Sequence, residues 1–105
     1  MTLSTHVLDT GTGEPAVGVP VRLARQHDSG WVELAAGVTD GDGRLRDWVP
    51  PEHWQAGTYR LTFDTAARSP FFPEVSVVFL VAEPSRHHHV PLLLSPYGYS
   101  TYRGS

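Results

Sequence analysis

Short segments with the residue pattern of β-strands recur along the chain, separated by turn signals at intervals of roughly 8–12 residues. The clearest is residues 57–64, where the apolar side chains of Tyr59, Leu61 and Phe63 alternate with polar ones. The sequence contains 10 glycines and 9 prolines, a content that favours turns over long helices. We therefore predict an all-β fold, either a two-sheet sandwich or a barrel.

The length suits a single hydrophobic core, so we predict one domain that spans residues 1–105. One or two helical turns are expected at residues 64–69, with Asp64 or Thr65 as the N-cap, and a further turn at 51–54. The pattern otherwise predicts about eight strands. They are residues 3–9, 19–25, 31–39, 45–48, 57–64, 74–82, 86–94 and 97–103.

The composition excludes several classes of function. The net charge is -3, so the chain lacks the strongly basic surface that binds nucleic acid. The absence of cysteine excludes disulfides, thiolate nucleophiles and cysteine-based zinc sites. The apolar stretches are too short to span a membrane, and no signal-peptide pattern is visible. We therefore expect a cytoplasmic protein with neither nucleic-acid nor membrane partners.

Six histidines are the main candidates for chemistry near neutral pH. Alternation in the predicted strand at 86–94 places His87 and His89 on one face, with Cα atoms about 6.6 Å apart. Together with His6 they could form a zinc site. No carboxylate or cysteine ligand lies nearby in the sequence, so we predict that the chain holds no metal.

The opposite face of this predicted strand carries Val90, Leu92 and Leu94, which are expected to enter the core, with His88 at its outer end. The segment that follows has three tyrosines and stays strand-like almost to Ser105. Chain ends are usually polar and frayed, so this composition predicts a docked segment. Tyr102 is a candidate for an interface residue.

Three segments together resemble one known family, the 5-hydroxyisourate hydrolases related to transthyretin. They are STHVLDTGTGEPA at 4–16, TDGDGR at 39–44 and HHVPLLLSPYGYSTYRGS at 88–105. The resemblance implies a transthyretin-like two-sheet β-sandwich of about eight strands with one short helix. It also implies a homotetramer, built as a dimer of dimers, with its sites in the channel where the dimers meet.

The resemblance also implies roles for individual residues, matched by motif. The general base could be either His6 or His89, and the choice between them stays open. No metal or organic cofactor is implied. The implied catalytic residues are His6, Arg44 and His89, and the implied substrate-binding residues are Tyr102, Arg103, Gly104 and Ser105.

The reaction that the resemblance implies is the hydrolysis of 5-hydroxyisourate to 2-oxo-4-hydroxy-4-carboxy-5-ureidoimidazoline, a step of urate and purine breakdown. The main alternative is a transthyretin-like carrier of a small molecule, which would need neither the two histidines and Arg44 nor the YRGS ending. A zinc protein that uses His6, His87 and His89 is a second alternative. A sandwich with no chemistry, serving only for interaction, is a third.

Overall fold

The computed structural model describes residues 2–104, and these form two β-sheets packed face to face. The predicted two-sheet sandwich is confirmed. Its strands are β1 (Leu3–Asp9), β2 (Glu14–Pro15), β3 (Pro20–His27), β4 (Gly30–Val38), β5 (Arg44–Leu45), β6 (Gly57–Asp64), β7 (Glu74–Val81), β8 (His88–Ser95) and β9 (Gly98–Thr101). The five-stranded sheet has the order β2-β1-β8-β9, with β5 also paired to β1, and the four-stranded sheet has the order β4-β3-β6-β7.

The core lies between the two sheets and follows the predicted alternation. The side chains of Tyr59, Leu61 and Phe63 on β6 are fully buried, as their period of two requires. From the facing sheet, β8 contributes Val90 and Leu92 to the same core. The prediction that these two residues point inward is confirmed, so the alternate residues of β8 are left for the outer face of the sheet.

The helix predicted at 64–69 is wrong. The chain makes only a turn there, in which the N–H groups of Arg68 and Ser69 both donate to the carbonyl of Thr65. The Thr65 and Ser69 hydroxyls bond to the backbone around Phe72, which stabilises a turn at the expense of a helix. The short helix is instead a 3-10 turn at Pro51–His53, where the sequence indicates only a helical turn and where proline is tolerated at the start.

One parallel strand pair joins segments that are far apart in the sequence. β1 and β8 run parallel, from the pair Leu3 and His88 to the pair Asp9 and Leu94. The buried Thr5 hydroxyl reinforces the pair by donating to the Val90 carbonyl over 2.6 Å. This pairing fixes which residues of the two strands lie side by side.

No helix within residues 2–104 is both long and apolar enough to cross a membrane.

Candidate active site

Strand register brings three of the sequence-selected residues to one face of the five-stranded sheet. β1 places Ser4 beside His89 and His6 beside Pro91, while β5 places Arg44 directly opposite His6. Residues that pair across strands project from the same face. His6, Arg44 and His89 therefore share the outer face, away from the core.

A tight turn before β5 positions Arg44. The carboxylate of Asp40 accepts hydrogen bonds from the N–H groups of Asp42, at 2.8 Å, and Arg44, at 3.0 Å. These bonds hold the pKa of Asp40 below its usual value, because they favour the charged form. The Asp40 carboxylate thus fixes the backbone at the residue whose side chain lies opposite His6.

Glycine at position 43 is required by this turn. Gly43 has a φ of 73°, and a Cβ there would lie 2.6 Å from the carbonyl oxygen of Val7. The Gly43 carbonyl in turn accepts a hydrogen bond from the Val7 N–H over 2.8 Å. Glycine at position 43 therefore lets the turn approach the backbone of β1 closely and bond to it, which places Arg44 at the start of β5.

His89 is half-buried and bonded to its neighbour on β1. Its Nδ1 lies 2.7 Å from Oγ of Ser4. Burial lowers the pKa of His89 below the ordinary 6.5, and the positive charge of Arg44 acts in the same direction, as do His87 and His6. His89 is therefore a neutral imidazole near pH 7, the state in which a ring nitrogen can accept a proton.

The C-terminal segment reaches back to His89. The N–H of Gly104 donates to the His89 carbonyl over 2.8 Å, and a Cβ on residue 104 would overlap Cδ2 of the His89 ring. Tyr102 is 58% exposed, and Arg103 is exposed too. With His89 they line a cavity of about 260 Å³, to which Val77 and Phe79 of β7 also contribute. Ser105 lies outside the described residues.

His87 and His89 are two of the three histidines that the zinc alternative would use, and both contact the hydroxyl of Ser4. Nε2 of His87 lies 2.9 Å from Oγ of Ser4, the same hydroxyl that contacts His89. Within residues 2–104 no group of three His, Cys, Asp or Glu side chains is arranged to hold a metal ion. Ser4 was not among the site residues predicted from the sequence, although its position two residues before His6 places it on the same face of β1.

The pKa of His89 gives a prediction that can be checked by NMR titration of its ring protons. The midpoint should fall below 6.5, and Arg44→Met should move it upward, because a positive charge that disfavours the imidazolium is removed. Since the folded pKa is below the unfolded one, His89 contributes stability that is present above pH 6.5 and is lost as the pH falls through the folded pKa. A midpoint at or above 6.5 would contradict this account.

Comparison with known proteins agrees with the sequence resemblance. A 5-hydroxyisourate hydrolase of Salmonella dublin is 48% identical over 109 residues, which cover 98% of this chain and 80% of that protein. The solved structure of a Klebsiella pneumoniae 5-hydroxyisourate hydrolase superposes with a TM-score of 0.82 at 40% identity, and 100% of each chain is covered.

Transthyretin matches the fold as well. A sea bream transthyretin, solved in complex with thyroxine, superposes with a TM-score of 0.91 at 35% identity, covering 99% of this chain and 95% of that one. Backbone similarity therefore does not separate the hydrolases from transthyretin, whereas the identity is higher to these two hydrolases, at 48% and 40%, than to this transthyretin, at 35%. The model of the HIUase/Transthyretin family matches residues 3–104. The chain belongs to this family.

Proposed function

We propose that this protein hydrolyses 5-hydroxyisourate to 2-oxo-4-hydroxy-4-carboxy-5-ureidoimidazoline, and so acts in urate and purine breakdown. The observation that carries the proposal is the outer-face group of His6, Arg44 and His89, in which a neutral imidazole lies beside a guanidinium. The high identity to curated 5-hydroxyisourate hydrolases supports the same substrate.

In the proposed reaction, water attacks the lactam carbonyl of the substrate. His89 takes a proton from the water as its oxygen bonds to the carbonyl carbon. The C–N bond of the lactam then breaks as the protonated His89 returns its proton to the leaving nitrogen, and the carboxylic acid that forms loses its remaining proton to solvent and becomes a carboxylate. A positioned base of this kind contributes about 10²–10⁴-fold to the rate. We assign this role to His89, since its lowered pKa keeps it unprotonated near pH 7.

Arg44 and His6 act on the substrate in this scheme. The guanidinium of Arg44 offers a fork of N–H donors to the oxygen that becomes negative as water adds. Arg44 itself supplies the positive charge for this purpose, and the bond from its backbone N–H to Asp40 holds the segment that carries it. His6, directly opposite Arg44, orients the water or a substrate carbonyl.

The C-terminal segment, residues 102–105, binds the substrate in this scheme. Tyr102 and Arg103 are exposed beside His89, and the backbone of Gly104 lies against the His89 ring. Ser105, which follows Gly104 in the sequence, belongs to the same proposed group. These residues would place the lactam carbonyl next to the imidazole.

A substitution at Gly104 tests whether this contact matters. Gly104→Ala places a methyl group against Cδ2 of His89, so the ring or the C-terminal segment must move. A misplaced base in a preorganised site is costly, and we expect kcat/KM to fall by about tenfold or more. The matched control is Gly30→Ala, where a Cβ meets nothing within 4 Å. Equal steady-state kinetics for both variants would contradict the proposed role of Gly104.

We also propose that the protein is a homotetramer, a dimer of dimers with its sites in the channel between the dimers. The support is that the candidate residues lie on an outer sheet face, and that the large side chain of Tyr102 is exposed beside His89. Light scattering would measure the assembly. A cytoplasmic location is the remaining part of the proposal, and cell fractionation would test it.

A coupled assay tests the function directly. Urate oxidase generates 5-hydroxyisourate from urate in the cuvette, and the decay of its absorbance is followed with and without this protein. We expect faster decay that survives treatment with a chelator, since the proposed chemistry uses side chains alone. An unchanged decay with folded protein would reject the hydrolase and favour the carrier, for which the transthyretin-like backbone is the specific support.

A further inference from the structure

The hydroxyl of Ser4 lies between the rings of two histidines on the outer face of the five-stranded sheet. Its Oγ is 2.7 Å from Nδ1 of His89 and 2.9 Å from Nε2 of His87. Ser4 is only 9% exposed, so water has little access to this hydroxyl. The three side chains therefore form one continuous chain of hydrogen bonds.

A hydroxyl has one hydrogen and two lone pairs, so Ser4 donates to at most one of the two rings and accepts from at least one. In the first arrangement, Nδ1–H of His89 donates to Oγ of Ser4, and the Ser4 hydroxyl donates to Nε2 of His87. In the second, Nε2–H of His87 donates to Oγ of Ser4, and the Ser4 hydroxyl donates to Nδ1 of His89. The proton of neutral His89 then lies on Nε2. In a third, both rings donate to Oγ and the Ser4 hydrogen points elsewhere, so the proton of neutral His89 leaves Nδ1 only where Nδ1 accepts the Ser4 hydrogen.

The first arrangement leaves His89 able to act as a base, whereas the second does not. Because Nδ1 carries the proton and faces Ser4, Nε2 keeps a free lone pair for the attacking water. When Nε2 takes a proton, Nδ1–H continues to donate to Ser4, and no other hydrogen has to move. In the second arrangement the only unprotonated nitrogen of His89 already accepts the Ser4 hydrogen.

We propose that Ser4 and His87 are positioning residues that hold the proton of neutral His89 on Nδ1, so that Nε2 is the base. The kinetic part of this inference rests on the proposed hydrolase function, whereas the position of the proton does not. The backbone of Gly104 supports the arrangement, because its contact with the Cγ–Cδ2 edge limits rotation of the ring.

NMR of ¹⁵N-labelled protein at a pH where His89 is neutral measures the position of the proton. The expected wild-type result is a protonated Nδ1 and an unprotonated Nε2. In His87→Phe the Ser4 hydroxyl loses the acceptor on the far side and turns toward Nδ1 of His89, so the proton should shift to Nε2. A wild-type proton on Nε2, or one that does not respond to His87→Phe, would overturn the proposal.

Kinetics supply the second readout. Ser4→Ala and His87→Phe should each lower kcat by about tenfold, the equivalent of one neutral hydrogen bond, with little change in KM. Ser4→Thr should restore the rate, since it keeps the hydroxyl and suits a strand. Ser29→Ala and His27→Gln, both at the exposed β3–β4 hairpin, are the matched controls. Wild-type kcat in both test variants would refute the positioning role.

The two proposals fail in different ways. Protein that does not accelerate 5-hydroxyisourate decay would reject the hydrolase function, while the NMR result would still decide where the proton of His89 lies. Active protein whose His89 carries its proton on Nε2 would reject the positioning role alone. His87 is exposed, so His87→Phe tests the proposal even if the buried Ser4→Ala variant unfolds.

Discussion

Replacing His89 with glutamine is expected to lower kcat by about 10²–10⁴-fold, which is the usual contribution of a positioned general base. Glutamine keeps a polar side chain beside Ser4, yet its amide does not accept a proton from water at neutral pH. The coupled assay would measure kcat and KM separately. Because binding of the substrate does not require proton transfer, most of the loss should appear in kcat.

The His89→Gln variant should fold as the wild type does, since His89 is only half-buried and Gly104 bonds to its backbone carbonyl. Its unfolding should also be less sensitive to acid, because a group whose folded pKa is lowered has been removed. The matched control is His53→Gln in the 3-10 turn, far from the site in sequence and exposed. Substantial activity in His89→Gln would show that His89 is not the base, and His6 would then be assigned this role.

Replacing Arg44 with methionine is expected to lower kcat by about 10²–10³-fold, the cost of one donor to a developing oxyanion, or about 3–4 kcal/mol. Arg44→Lys should recover only part of the rate, since an ammonium group has the charge without the planar fork of donors. Steady-state kinetics of both variants would separate the contribution of charge from that of geometry.

Arg46→Met is the matched control for Arg44→Met. Arg46 is exposed, lies two residues further along the chain and also acts electrostatically on Asp40. Its removal changes the charge of the same segment without changing the residue opposite His6. If Arg46→Met lost as much activity as Arg44→Met, the effect would be one of general charge, and the proposed role of Arg44 would be wrong.

Local patterning was enough to predict the strands that are clearly amphipathic. The predicted bounds 3–9 and 57–64 match β1 and β6, because alternation is strong and turn residues follow each strand. The sequence did not predict β2, a pair of residues defined only by its bonds to Leu8 and Asp9. Such a strand has no pattern of its own, and its existence depends on tertiary contacts.

The site was predictable in its residue types and faces, but not in its connections. Alternation alone puts Ser4 and His6 on one face of β1, and His87 and His89 on one side of the segment that leads into β8. It does not say that Ser4 lies beside His89, because that contact depends on the register of two strands about 85 residues apart. The hydrogen-bonded chain through Ser4 therefore required the structure.

The parallel pairing of β1 with β8 also has a consequence for synthesis of the protein on the ribosome. β1 leaves the ribosome first, and its partner emerges 85 residues later, as the bond between Thr5 and Val90 shows. Until then, one edge of β1 has unpaired N–H and C=O groups, which can pair with other nascent chains. Long-range pairing of this kind is also slow to form. Activity should therefore appear only after β8 has been made, and chains that stop before it should be prone to aggregation.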